Sequence, residues 1–153
     1  MRLSEELRYA ILALQREGNR NLITALKPLG LTPAQAEVLR VLDDYAPLTL
    51  TALGELLICE SGTGPSRLVD RLVAMDAIER TTDAQDRRAV RLQLTARGKQ
   101  LSASVAQVEE TMYQSIEASV PDNLIRPLLD LANTLLAGTP AGTALSRRRD
   151  GAR

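Results

Sequence analysis

The chain has 153 residues, of which 44% are hydrophobic and 25% charged, with 19 cationic and 19 anionic side chains balancing to zero. That length suits one compact domain, or a small domain carrying extra helices, with a real core. A single Cys excludes an internal disulfide framework, and neither a bilayer-length apolar run nor a secretory signal is visible, so a reducing, cytoplasmic setting is expected.

In chain order, residues 4–26 read as an amphipathic helix, with Leu7, Ile11, Leu14, Leu22 and Leu26 near one stripe and Gly18 as a weak point. "LKPLGL" breaks it. "LTPAQAEVL" restarts a helix: Thr32 is the N-cap, Pro33 takes the first helical position, and Gln35 completes a capping box. Val38, Leu39 and Leu42 form the buried side of this helix, "APLT" ends it, and a shorter helix over about 50–58 carries Leu53, Leu56 and Leu57.

"CESGTGPSRLVDRLVAM" is a tight turn followed by a helix. Leu68, Leu72 and Met75 face inward beside Val69 and Val73, while Arg67 and Arg71, four residues apart, share the opposite face. After Ala77 the apolar period changes from 3.6 to 2, giving two strands, "IERTT" and "AVRLQLT", around the loop "DAQDRRAV". A helix-turn-helix followed by a β-hairpin is a winged helix-turn-helix, with the hairpin as its wing.

Thr95 and Gly98 lead into a long helix to about Val120, striped by Leu101, Val105, Val108, Met112 and Ile116, which Pro121 stops. A last helix bearing Leu124, Leu128, Leu131 and Leu135 starts or kinks around Pro127 and ends at Gly138. The remaining "GTPAGTALSRRRDGAR" is Gly-, Pro- and Arg-rich and reads as a disordered basic tail. The fold class is therefore mainly α with a small β-hairpin. Four regions follow: an N-terminal helical region (1–30), the winged helix-turn-helix (31–98, wing about 79–95), C-terminal helices (99–137) and the tail (138–153).

Zero net charge conceals an asymmetry. Residues 63–99 carry eight cations against five anions, whereas residues 100–136 carry one cation against five anions. A local basic patch can engage a polyanion, because salt screens fields beyond roughly 8–10 Å. With no Phe or Trp and only three Tyr, base stacking is disfavoured, so double-stranded DNA fits better than single strands.

At this point the sequence resembles the multiple-antibiotic-resistance regulator (MarR) family of bacterial winged-helix transcription factors, over residues 5–137. The wing signature D-x-R-x5-L-T-x-x-G reads here as Asp86, Arg88, Leu94, Thr95 and Gly98. "SRLVDRL" is similar to the family's recognition helix and "LTPAQAEVLRVL" to its first winged-helix helix. The turn "ICESGTGPSRL" is one residue longer than the usual family spacing. The resemblance implies that the terminal helices dimerise, so that a homodimer presents two recognition helices to a pseudo-palindromic site.

Candidate DNA contacts follow. Thr63, Ser66, Arg67 and Arg71 face the major groove; alternatively, Thr63 and Ser66 bind phosphate at the helix N-terminus, and Arg71 pairs with an acid such as Asp70 or Asp76. On the wing the resemblance assigns Arg88 to the minor groove, with Arg87 on phosphate or in the groove, and Asp86 orienting an arginine. Family members respond to small phenolic or anionic amphiphiles, for which Arg16, Arg20 and Tyr45 are candidates here, or to cysteine oxidation, for which Cys59 is the sole candidate.

The expected function is that of a dimeric, sequence-specific DNA-binding repressor released from its operator by a small ligand or by oxidation, without cofactor or metal. The alternative is a winged-helix protein-interaction module whose basic hairpin meets an acidic partner. An enzyme has little support: there is no His for acid–base work and no phosphate-cradling Gly-rich loop.

Overall fold

A stop-and-restart signal builds the first corner of the molecule, which a computed structural model describes over residues 1–59, 62–82 and 90–151. Helix α1 (Leu3–Leu26) runs into a 3-10 turn at Lys27–Leu29, and Gly30 takes φ 67°, a left-handed setting that glycine adopts without steric cost. Thr32 then caps α2 (Pro33–Tyr45). Its hydroxyl accepts from the Gln35 amide at 3.3 Å while the Gln35 side chain accepts from the Thr32 amide at 2.9 Å, as the sequence led us to expect.

Helix α2 is the centre of the core rather than a one-sided helix. Ala34, Ala36, Val38, Leu39, Val41 and Leu42 are all buried, and they pack with Leu26, Leu53, Leu72, Ile78, Leu92 and Val105. Helix α3 (Leu50–Gly54), capped by Thr49, is shorter than the expected 50–58. Helix α4 (Pro65–Ala74) starts at its proline and buries Leu68, Val69 and Leu72. Strands β1 (Ile78–Thr82) and β2 (Val90–Leu94) pair antiparallel with Ile78 opposite Leu94 and Thr82 opposite Val90. Leu48 adds a bridge that no sequence pattern announced, exchanging backbone hydrogen bonds with Leu92 at 2.7 and 3.2 Å.

The joint between β2 and α5 (Ala96–Ser119) explains the L-T-x-x-G part of the wing signature in physical terms. Leu94 is buried; the Thr95 hydroxyl accepts from the Gly98 amide at 3.0 Å and donates to the Asp76 carbonyl at 2.6 Å. Gly98 lies so close to the chain at Ala77 that an added Cβ would stand 1.9 Å from the Ala77 carbonyl oxygen. Further along α5 the expected stripe enters the core through Val105, with Leu101 and Val108 packed against it, and a polar seam runs beside it. Fully buried Ser102 donates to Asp43 at 2.9 Å, and Arg40 pairs with both Asp43 (3.2 Å) and Glu109 (3.1 Å).

Helix α6 (Asp122–Leu136) begins well before Pro127 and carries it internally. The segment expected to be a disordered tail is instead helical: α7 (Pro140–Gly151). Gly138 turns the chain at φ 74°, the Thr139 hydroxyl accepts from the Gly142 amide at 3.1 Å, and Pro140 opens the helix. Ala144 is buried, and the Tyr45 hydroxyl donates to the Arg148 carbonyl at 2.7 Å.

By contrast, most of the apolar stripe on α1 and α6 stays in solvent. Leu7, Ile11 and Leu14 on α1 are exposed, as are Leu124, Leu128, Leu131 and Leu135 on α6. Replacing Gly98 by Ala should lower stability by about 1–3 kcal/mol, because backbone must move to admit the methyl group. The same change at Gly18, where a Cβ meets nothing within 4 Å, should stabilise by about 0.5–1 kcal/mol. Urea unfolding of both variants checks the contrast.

Candidate nucleic-acid interface and the crevice behind it

Helix α4 presents a polar face because its other side is committed to the core. With Leu68, Val69 and Leu72 buried, Ser66, Arg67, Asp70 and Arg71 are left exposed, and Thr63 sits half-buried in the preceding turn. Asp70 is taken by Arg80 of β1 in an ion pair at 2.5 Å. Arg71 therefore does not pair with Asp70 or Asp76, and among the described residues neither it nor Arg67 makes an ion pair. Two guanidinium groups thus project from one helical face. Asp86, Arg87 and Arg88 lie outside the described residues; the hairpin is described up to the Thr82–Val90 pair.

The turn between α3 and α4 is held by a residue the sequence reading passed over. Glu37, on α2, is buried, and its two carboxylate oxygens accept the amides of Ile58 and Cys59, each at 2.8 Å. Arg148 of α7 supplies the countercharge at 3.1 Å. A buried carboxylate needs such partners, since losing its hydration costs several kcal/mol. Nearby, Arg147 of α7 pairs with Glu55.

Behind α4 lies an open crevice of about 1450 Å³, walled by α1, α2, the α3–α4 turn and α7. Arg16 borders it, as do Leu12, Ile23, Arg71 and Cys59. A smaller recess of about 370 Å³ lies between α2, α5 and α7, lined by Arg40, Tyr45, Cys59, Tyr113 and Arg148. The three candidate ligand residues are therefore not brought together. Arg16 and Tyr45 face different hollows, and Arg20 borders neither, pairing with Glu17 at 3.6 Å in solvent. Among the described residues no cluster of three His, Cys, Asp or Glu is arranged to hold a metal ion, and no helix is long and apolar enough to cross a membrane.

Cys59 is open to solvent on one side, but the rest of its surroundings raise the thiol. Desolvation contributes most, the Glu37 carboxylate adds to it, and together they push the pKa up to about 11.

Three comparisons bear on what this arrangement is. Residues 31–98 match the model of the winged helix DNA-binding domain. The chain is 27% identical over 128 residues to the HTH-type transcriptional regulator SarZ of Staphylococcus epidermidis, covering 82% of this chain and 86% of SarZ. It superposes on a cysteine-to-serine mutant of Escherichia coli MarR in complex with operator DNA with a TM-score of 0.76 and 27% identity, covering 89% of this chain and 99% of MarR. The chain carries a winged helix DNA-binding domain and is similar to MarR-type transcriptional regulators.

Against wild-type E. coli MarR without DNA, the TM-score of this chain is 0.66, at 26% identity and with 89% and 98% of the two chains covered. SarZ is a transcriptional regulator. The raised thiol has a direct readout. Near pH 7 Cys59 stays protonated, so alkylation by iodoacetamide should be slow there and should still be climbing about tenfold per pH unit between pH 9 and 10, where an ordinary thiol is levelling off. A rate that reaches its plateau by pH 10 would contradict the assigned surroundings.

Proposed function

We propose that the protein is a homodimeric, sequence-specific DNA-binding repressor that engages a pseudo-palindromic operator and is released by a small ligand. The observation that carries this reading is the outward face of α4, where Arg67 and Arg71 project from a helix whose other side is locked into the core. Arg67 reads guanine edges in the major groove, with Arg71 beside it, while Ser66 and Thr63 bind phosphate at the helix start. The wing arginines Arg87 and Arg88 enter the minor groove, where negative potential concentrates, and Asp86 orients them. Likeness to MarR bound to its operator supports this assignment.

Dimerisation is supported by the exposed leucines of α1 and α6, an apolar surface too extensive for a lone soluble copy. Two copies related by a two-fold axis bring the recognition helices to successive major grooves, roughly 34 Å apart. Between the two release mechanisms the structure favours a ligand over oxidation. A thiol raised to about 11 is a poor redox sensor, whereas the crevice bordered by Arg16 has room for an anionic amphiphile.

Selection of bound duplexes from a random pool should return inverted repeats. Affinity for them should fall by about 10³–10⁵ between 50 and 200 mM salt if six to ten phosphates are engaged. Arg67→Ala should relax preference at particular base pairs by about 1–3 kcal/mol, while Arg88→Ala should weaken binding broadly. No duplex binding at low salt would instead favour a protein-interaction module with an acidic partner. Separately, Leu128→Glu on α6 should turn the dimer into a folded monomer, read by light scattering with circular dichroism.

A further inference from the structure

Helix α7 lies outside the winged-helix match, and above it serves only as one wall of the crevice. At one end it follows α6 directly through Gly138 and Thr139. Along its length it is fastened to the winged helix at three points. The Tyr45 hydroxyl holds the Arg148 carbonyl at 2.7 Å, the Arg148 guanidinium holds Glu37 at 3.1 Å, and Arg147 holds Glu55. The helix therefore bridges the terminal helices and the domain that carries α4.

The middle contact matters most. Glu37 is the same carboxylate that receives the amides of Ile58 and Cys59 in the turn leading to α4. When α7 is docked, its negative charge is compensated inside the fold. When α7 leaves, a buried carboxylate keeps two amide donors and loses its cation, which favours movement of the carboxylate, and of the amides bound to it, towards water. Docking of α7 and placement of the α3–α4 turn thus share one group.

We propose that α7 is a strap that holds α4 in its DNA-ready setting, with Arg148 and Tyr45 as positioning residues that touch no DNA. This rests on the DNA-binding reading above. It assigns the C-terminal arginines a role different from that of a basic arm: Arg148 is turned in to buried Glu37, and Arg147 pairs with Glu55 at the surface.

The test uses the full chain. Ala144, 3% exposed on the buried side of α7, is replaced by Gln, which displaces the helix without changing any charge. Arg148→Ala and Arg148→Lys probe the ion pair, and Arg149→Ala removes an exposed cation as a control. Fluorescence anisotropy is read on the selected duplex and on a scrambled one, across a salt series. Hydrogen exchange over residues 58–59 is followed without DNA.

We expect Ala144→Gln and Arg148→Ala to weaken the selected duplex by about tenfold, within the usual size of coupling between sites. Affinity for the scrambled duplex and the salt slope should not change, and exchange at Ile58 and Cys59 should quicken. Arg148→Lys should restore part of the affinity, and Arg149→Ala should leave it intact. Unchanged affinity with unchanged exchange overturns the proposal, as does tighter binding after undocking. Equal losses on both duplexes with a shallower slope for Arg148→Ala mean a direct phosphate contact and overturn it too. A wild-type chain that binds no duplex sinks the regulator reading instead, while the exchange data still decide whether α7 holds the turn.

Discussion

One buried carboxylate joins three parts of this chain that are far apart in sequence. Glu37 lies on the central helix, its amide partners at positions 58 and 59 lie before α4, and its cation at position 148 lies on α7. Each partner alone is insufficient. Two amides satisfy lone pairs but leave a net charge in a poorly hydrated place, and one guanidinium without the amides leaves oxygens unpaired. The arrangement is stable because the donors come from segments that the core already fixes. Leu53 and Leu56 pin the residues before the turn, and Ala144 seats α7.

The same core has little to do with most of α1 and α6. Leu26 is completely buried and Leu22 partly so, but the stripe above them runs out into solvent, and α6 buries no residue. Sequence periodicity of this strength is not maintained on a surface by propensity alone, since a helix gains most of its stability from packing its apolar face. Apart from Leu26 and Leu22, the winged-helix core does not draw on these helices, whose apolar stripes lack a surface to pack on. A two-fold partner is the economical answer, because one patch then covers its own copy.

What was legible in the sequence was positional. Thr32–Pro33 with Gln35, the glycines and proline before α4, and Thr95 with Gly98 each force a local geometry, and each element starts where those residues require. What was missed was judged by composition instead. "GTPAGTALSRRR" was counted as Gly, Pro and Arg and read as disorder, although Gly138, Thr139 and Pro140 form the same stop, cap and first-turn signal as Gly30, Thr32 and Pro33. Glu37 looked like an ordinary solvent-facing helix residue, because its partners are backbone amides, which leave no mark in a sequence. The Leu48 bridge to Leu92 is equally silent, being a backbone contact between distant segments.

Charge placement carries the functional reading further than charge counting does. The C-terminal segment is rich in arginine, but Arg147 and Arg148 are already paired with Glu55 and Glu37. Arg80, counted in the basic stretch, is likewise engaged by Asp70. On α4 itself the described surface of that stretch keeps Arg67 and Arg71, one helical turn apart, on a helix whose rotation is fixed by Leu68, Val69 and Leu72. A guanidinium held by a rigid helix loses less freedom on meeting a base than one on a mobile tail, so the same charge yields more discrimination. Any element that sets the rotation of α4 therefore acts on sequence preference, while elements that only add cations act on affinity for duplex in general.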